Sequence, residues 1–508
     1  MNTIVDMMRY RVEFSPNLEA LVCGSKRYSY QEFNHRVNQL THFLMESKVQ
    51  KGDRVAVLCR NSHLFPIIVL AIIKAGAITV PLNWRLNPLE LEYILKNSQP
   101  KLLFYDDDLD SKLSAARESG LIFNTIRAGS NMDAHPSFEA LLLNRPTTEP
   151  DVSIVENDPA AIIYTSGTTG LPKGVILSHG NWFFSIGATT NALDWRYGDR
   201  YLAVSPLFHV SGMMVMLSAI LQGMTMVIMS DFNTSNIWEM IEAERITTMF
   251  APPTTLIYLL AEIIQSEKEF HSLRTLASGA AKVPNKLIEQ FYQLGYDVIQ
   301  GYGCTEVASC FTVWSPKMGF DKCGSVGKPI LQAKVRIVDP ETHQDLPAGE
   351  VGEIVLGGPQ IFQGYWNNPE ATEQVKRNGW LFTGDAGKLD EDGFLYVVDR
   401  YKDMIICGGT NIYPAQVEPV ILELDEVQEV ALIGVPDEIW GELARAYVVK
   451  TPGASLTEED ILNHCHQKLA NYKVAEVVFV EALPKNSMGK VLKRVLREQA
   501  MKELEEQK

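Results

Sequence analysis

Between Arg54 and Val80 the chain carries the pattern that most restricts its fold. Arg54-Val55-Ala56-Val57-Leu58 is an apolar run of strand length, Leu64 to Ala75 is apolar at helical length, and Ile78-Thr79-Val80 is strand-like again. This is the rhythm of α/β units, and it persists through the first four hundred residues. Hairpin signals come later, with Asp392-Gly393 between Gly387-Lys388-Leu389 and Phe394-Leu395-Tyr396-Val397-Val398. The charged stretch Asp399-Arg400-Tyr401-Lys402-Asp403 then separates this body from a smaller α+β segment, and there is no internal repeat. Val210 to Met229 is long and apolar enough to raise the question of a membrane span, but Gln222-Gly223 divides it into a buried helix ending near Leu221 and a short strand, Met224 to Met229.

A formal charge of -16 over 508 residues argues against broad nucleic-acid binding, which needs a basic face, and against simple electrostatic docking on anionic lipid. Peripheral membrane contact of another kind and a homodimer stay open. The seven cysteines (Cys23, Cys59, Cys304, Cys310, Cys323, Cys407 and Cys465) are scattered without C-x-x-C pairs, so neither a disulfide framework nor a zinc site is indicated. A reducing cytoplasm fits that usage, and the segment Met1 to Arg11 lacks the apolar core and small-residue cleavage site of a secretory signal.

The apolar run Ala160 to Ile163 leads into Tyr164-Thr165-Ser166-Gly167-Thr168-Thr169-Gly170-Leu171-Pro172-Lys173-Gly174. Glycines let backbone N–H groups converge on an anion, the hydroxyls add donors, and Lys173 supplies a point charge on a flexible stem, which suits a polyphosphate. The spacing is not that of G-x-x-x-x-G-K-[ST], because Leu171 and Pro172 stand between Gly170 and Lys173. Alone, the loop has a flexible surface turn as its lesser alternative.

It is accompanied, in order, by Gly301-Tyr302-Gly303-Cys304-Thr305-Glu306, Thr383-Gly384-Asp385, Asp399-Arg400 and Gly489-Lys490. On these motifs the chain resembles the adenylate-forming superfamily of acyl-CoA synthetases, luciferases and nonribosomal adenylation domains, from about Tyr30 to Arg497, with its nearest likeness to fatty-acyl-CoA ligases. The resemblance implies an α/β fold: a large N-terminal domain of mixed sheets and helices (1–399), a hinge (400–403) and a small mobile α+β C-terminal domain (404–508).

Activating an acid requires its carboxylate to attack the α-phosphorus of ATP while positive charge and backbone dipoles stabilise the departing pyrophosphate. Thr165, Ser166, Gly167, Thr168, Thr169, Gly170 and Lys173 suit the β and γ phosphates. Gly301 and Gly303 permit close backbone approach, Tyr302 offers a face to adenine, and Thr305 offers a hydroxyl to phosphate. Glu306 suits Mg²⁺, a hard cation that prefers oxygen. By resemblance, Gly279-Ala280-Ala281 lies against adenine and acyl group, Asp385 receives the ribose hydroxyls with Arg400 nearby, and Lys490 bridges acid and α-phosphate during adenylation. Lys402 is then the hinge residue, and the loop bearing Gly408 and Gly409 lines the path for the thiol of coenzyme A.

Pro206-Leu207-Phe208-His209-Val210-Ser211-Gly212-Met213-Met214 resembles the acyl-pocket motif, where His209 gates or orients the acyl group. No aspartate follows Phe208, where amino-acid-activating relatives hold the ammonium. Val210, Met213, Met214, Val215 and Met216 suggest an apolar, adaptable lining, although ordinary core has the same look. The expected activity is therefore an ATP-, Mg²⁺- and coenzyme-A-dependent ligase acting on a medium- to long-chain fatty acid through acyl-AMP. Alternatives are an aryl or alicyclic acid, an acyl-AMP ligase that loads a separate carrier protein, and a non-enzymatic nucleotide-binding scaffold.

Overall fold

The computed structural model describes residues 2–121, 123–130, 133–134, 136–165, 171–230, 236–266, 272–281, 283–408, 410–437, 439–470, 473–486 and 489–506. Packing divides the chain into two units, Met1–Val335 with Leu356–Leu381, and Arg336–Val355 with Phe382–Lys508.

The first unit is built on two sheets. In one, six strands run parallel in the order Asp297–Tyr302, Thr275–Ser278, Thr248–Phe250, Arg200–Ala203, Thr225–Ile228 and Glu19–Cys23. Antiparallel strands extend it on either side, Thr312–Trp314 and then Lys328–Pro329 on one and Lys26–Ser29 on the other. The other sheet has the parallel order Pro159–Thr165, Ile78–Pro81, Arg54–Leu58, Leu102–Tyr105 and Asn124–Arg127. Lys173–Ser178 returns antiparallel beside Pro159–Thr165, and Gly364–Tyr365 pairs with it in turn.

The strand, helix and strand expected from Arg54 to Val80 are all present, and every residue of the helix Leu64–Lys74 is buried. Its one charge, Lys74, does not stand alone: Nζ donates to Asn34 Oδ1 at 2.6 Å, Asn38 Oδ1 at 2.8 Å and both carboxylate oxygens of Glu149 at 2.8 Å. A buried ammonium is tolerable only with such partners. The helix Val210–Gln222 ends at Gly223, whose φ of 76° a side chain would resist, and the strand Thr225–Ile228 follows. Arg11 caps that helix end, its guanidinium donating to the carbonyls of Ile220 and Leu221. Among the described residues no helix is long and apolar enough to cross a membrane.

The strand Trp380–Leu389, most of which belongs to the second unit, and Leu395–Arg400 form the hairpin signalled by Asp392-Gly393, with Gly393 at φ 79°. A further sheet has the order Thr410–Ile412, Ile405–Cys407, Gly441–Lys450 and Val427–Asp437, with Glu476–Phe479 parallel to Gly441–Lys450. Alternation along Val427–Asp437 gives this sheet two buried faces. Leu432 packs with Ile412, Val417 and Ile461, whereas Ala431, Ile433 and Val435 pack with Leu496 and Ala500. The architecture is thus α/β with a smaller α+β part.

Candidate active site

In an open α/β sheet, ligands gather beyond the carboxyl ends of the parallel strands. Ser278 lies opposite Gln300 and Phe250 opposite Ala277, so three strands of the larger sheet finish together. From those ends emerge Gly279-Ala280-Ala281 and the segment Gly301 to Glu306, and Arg200–Ala203 leads on to Phe208-His209.

The glycines there are set by close backbone approach. A Cβ on Gly279 would sit 2.7 Å from the carbonyl oxygen of Gly301, and one on Gly303 would sit 1.9 Å from that of Ser309. Gly301 is less confined, its nearest neighbour being Cys310 Sγ at 3.0 Å. Ala280 holds φ at 66°, a costly conformation for a residue with a Cβ, and both Ala280 and Ala281 are exposed. Gly301, Tyr302, Gly303, Cys304, Thr305 and Glu306 are all half-buried, and Val307 and Ala308 then anchor the segment in the core.

Thr165 and Lys173 face each other across the strand pair that opens into the phosphate loop. Ser166, Gly167, Thr168, Thr169 and Gly170 lie outside the described residues. Lys173 and Glu306 converge on one side chain that the sequence reading did not nominate. Tyr365 Oη donates to Glu306 Oε1 at 2.8 Å, and Lys173 Nζ lies 5.3 Å from the centroid of the same ring. Burial and the Glu306 carboxylate push the Tyr365 phenol well above its ordinary pKa, so it remains a donor.

His209 stands immediately before the helix Val210–Gln222, half-buried, its ring centroid 4.5 Å from that of Phe208. Burial, reinforced by the charge of Arg85, lowers its pKa to about 4, so the imidazole is neutral near pH 7. Asn61 pins the preceding backbone, donating to the Ser205 carbonyl and accepting from the Leu207 N–H, both at 2.9 Å. Met213, Met214, Val215 and Met216 are buried.

The second unit carries the other nominated residues. Asp385 and Arg400 are cross-strand neighbours, with Arg400 Nε 3.1 Å from Asp385 Oδ1. Gly384 at φ 69° donates its N–H to Glu353 Oε1, and Asp385 donates its own to Thr383 Oγ1. Arg400 is anchored by Asp399, whose carboxylate accepts the N–H groups of Arg400 and Ala415.

Lys490 sits on a tight loop. Its N–H donates to Asn486 Oδ1 at 3.0 Å, its carbonyl accepts from the Asn486 N–H at 2.8 Å, and Gly489 turns at φ 77°. Although the residue retains exposed surface, desolvation and then the positive charge of Arg400 lower its ammonium pKa to about 8, against the opposing pull of Asp385 and Asp403. The unit thus groups Lys490 electrostatically with Asp385 and Arg400. Lys402 occupies an exposed turn, its pKa lowered by desolvation and by Arg400. Gly408, at φ 56°, donates its N–H to the Trp440 carbonyl, and a Cβ there would strike the Trp440 ring at 2.8 Å; Gly409 lies outside the described residues.

Among the described residues no cluster of three or more metal-ligating side chains exists. Mg²⁺ takes one or two carboxylates and completes its shell with water and substrate phosphates, so it does not require such a cluster. Glu306, whose Oε1 accepts from Tyr365, is the carboxylate that could hold the ion. When bound, Mg²⁺ would neutralise phosphate charge.

Strand-end glycines, a lysine-bearing loop and a metal-suited carboxylate on one unit, with a carboxylate–arginine pair and a low-pKa lysine on the other, define a nucleotide-dependent, adenylate-forming enzyme. The family model for AMP-binding enzymes matches residues 8–366, and that for the AMP-binding enzyme C-terminal domain matches residues 416–490. The chain belongs to this family.

It is 39% identical to a putative acyl–CoA ligase, YdaB, of Bacillus subtilis, over 99% of this chain and 100% of that one. It is 36% identical to the long-chain-fatty-acid–CoA ligase FadD13 of Mycobacterium tuberculosis, over 98% and 99%. The structure of o-succinylbenzoate CoA synthetase (MenE) from Bacillus subtilis, in complex with the acyl-adenylate intermediate OSB-AMP, superposes with a TM-score of 0.87 at 32% identity, covering 97% of each chain. The protein is an ATP-dependent, AMP-forming acid–CoA ligase that uses ATP, Mg²⁺ and coenzyme A.

Proposed function

We propose that the acid is a medium- to long-chain fatty acid. The observation that carries this reading is the Phe208-to-Met216 segment, which leads from a strand end into a helix with no charged side chain and places a neutral imidazole at its start. An apolar chain can lie there without stranding a charge, and methionines adapt to its shape. Similarity to the long-chain ligase supports the reading. An aryl acid is the second reading, favoured by the match to the o-succinylbenzoate enzyme.

In the proposed reaction, Thr165 to Lys173 and Thr305 hold the phosphates, Glu306 holds the metal, and Gly279, Ala280, Ala281, Gly301, Tyr302 and Gly303 receive the adenine. Asp385 and Arg400 take the ribose. The carboxylate attacks the α-phosphorus, pyrophosphate departs, and Lys490 neutralises charge at the reacting centre. The thiol of coenzyme A then displaces AMP along a path bordered by Gly408 and Gly409. We assign residues 1–399 and 404–508 as the functional domains, turning about Lys402 between the two half-reactions.

The test is pyrophosphate release with ATP, Mg²⁺ and a panel of straight-chain, aryl and amino acids, each with and without coenzyme A. Coenzyme-A-dependent turnover greatest on fatty acids supports the reading. Turnover greatest on aryl acids replaces it with the second, and release without gain from coenzyme A points to another acceptor.

A further inference from the structure

We propose that Tyr365 is a positioning residue that holds Glu306 in its metal-binding orientation and keeps Lys173 from neutralising it. This deepens the assignment of Glu306 to the metal and rests on it. Lys173 and Glu306 carry opposite charges and lie against the same ring. Among the described residues no ion pair joins them, and neither has another ion-pair partner. Left to themselves in the absence of nucleotide, such groups would collapse together, and each would then have to be pulled free before phosphate or metal could bind.

The tyrosine serves both groups with different parts of its side chain. Its hydroxyl holds Glu306 Oε1 at 2.8 Å, and its ring attracts the Lys173 ammonium at 5.3 Å by the cation–π interaction.

The ring itself is fixed in place. Tyr365 pairs with Val175, two residues beyond Lys173, so one strand pairing places ring and lysine side by side. The Phe362 N–H donates to the Glu306 carbonyl at 2.8 Å, and the Phe362 ring packs 5.0 Å from that of Tyr365. The Tyr365 N–H is held by Thr372 Oγ1 at 2.8 Å. Partners of this kind, one shell out from a metal ligand, fix the ligand's orientation, and removing them typically weakens metal affinity about 10- to 100-fold.

The experiment uses the full chain and Mn²⁺ as a paramagnetic stand-in for Mg²⁺. Binding with a non-hydrolysable ATP analogue is read from the loss of the free-ion resonance, alongside kcat and KM for metal·ATP and the melting temperature. Tyr365→Phe should weaken Mn²⁺ binding about 10- to 100-fold and raise KM for metal·ATP, with KM for the acid unchanged and melting close to wild type. In a Glu306→Gln background the same change should add nothing, because the tyrosine acts through that carboxylate.

Tyr365→Leu removes ring and hydroxyl and should also weaken metal-free binding of the analogue, which Tyr365→Phe should not. Unchanged Mn²⁺ affinity in Tyr365→Phe, an equal loss in both backgrounds, or a loss explained by a lowered melting temperature would each overturn the proposal. If Glu306→Gln itself retains Mn²⁺ binding, the metal assignment falls and this inference falls with it. A weakened Glu306→Gln beside an unaffected Tyr365→Phe sinks only the inference.

Discussion

Three glycines of the strand-end cradle form a graded steric series whose order is fixed by what a methyl group would meet. None holds a positive φ, so alanine can adopt each backbone conformation and the effect isolates contact. At Gly301 the new Cβ meets Cys310 Sγ at 3.0 Å, an overlap that a small side-chain shift relieves. At Gly279 it meets the Gly301 carbonyl oxygen at 2.7 Å, which moves only with its strand. At Gly303 it falls 1.9 Å from the Ser309 carbonyl oxygen, against the 3.4 Å at which ordinary contact begins. Relief there must shift Ala308 and Ser309, already at φ 55° and 99°, together with the turn Thr305–Val307 that carries Glu306. Overpacking costs about 1–3 kcal/mol where neighbours can adjust. Gly301→Ala should therefore lie near the bottom of that range, Gly279→Ala within it and Gly303→Ala at or above its top. The assay is melting temperature together with pyrophosphate release, and both should fall in that order. Cys310→Ala should restore Gly301→Ala by opening the space the methyl needs, and should not restore Gly303→Ala. Equal stability and turnover in Gly303→Ala and Gly301→Ala, or no rescue by Cys310→Ala, would refute the steric argument.

The Lys490 ammonium, lowered to about 8, is charged below that pH and lost above it. The kcat/KM for ATP in adenylation should accordingly decline above about pH 8, and Lys490→Arg, which cannot deprotonate in this range, should lack that limb. A limb persisting in the arginine variant would assign it elsewhere. In the core, Lys74→Met strips Glu149 of its buried cation, and because the Glu149 side chain is itself 32% exposed the loss should fall below the ~3–5 kcal/mol of a fully buried broken pair. Adding Glu149→Leu should recover much of the loss; a double variant less stable than Lys74→Met would contradict the pairing argument.

The parts of this fold that were legible in the sequence are those whose pattern is local. The Arg54-to-Val80 strands and helix follow from unbroken apolar runs, and the helix stop at Gly223 follows from glycine's access to φ 76°. The placing of Asp385 opposite Arg400 was also available, because a hairpin centred on Asp392-Gly393 puts these positions near register. Tyr365 was not legible. Its role depends on the strand pairing of Val175 with Tyr365 and on a hydrogen bond to Glu306, contacts made across long loops. The same holds for Arg85, which lies 4.9 Å from the Trp84 ring centroid, with Arg60 at 4.4 Å from the same ring, and whose charge reaches His209. Nothing in the spacing of these residues sets Arg85 within electrostatic reach of His209. Trp440 resting on Gly408 depends likewise on a turn thirty residues away meeting a glycine bend.

A common electrostatic arrangement runs through both units. Charged groups nominated for chemistry are set in place by neighbours that do not cancel their charge. Glu306 is held by a neutral phenol, which leaves its full negative charge to a cation. Asp385 is met at Oδ1 by Arg400 Nε, 3.1 Å away, across the hairpin whose register sets both side chains. Lys490 is held through its backbone by Asn486, its ammonium has no hydrogen-bond or ion-pair partner among the described residues, and the nearby Arg400 charge makes an approaching anion more welcome than water. Dipoles and charges already oriented before substrate arrives need no reorganisation as negative charge shifts from carboxylate to phosphate. The fold supplies that orientation through strand register and tight glycine turns. The residues most sensitive to substitution should therefore include those, like Gly303 and Tyr365, that never need to touch the transferred atoms.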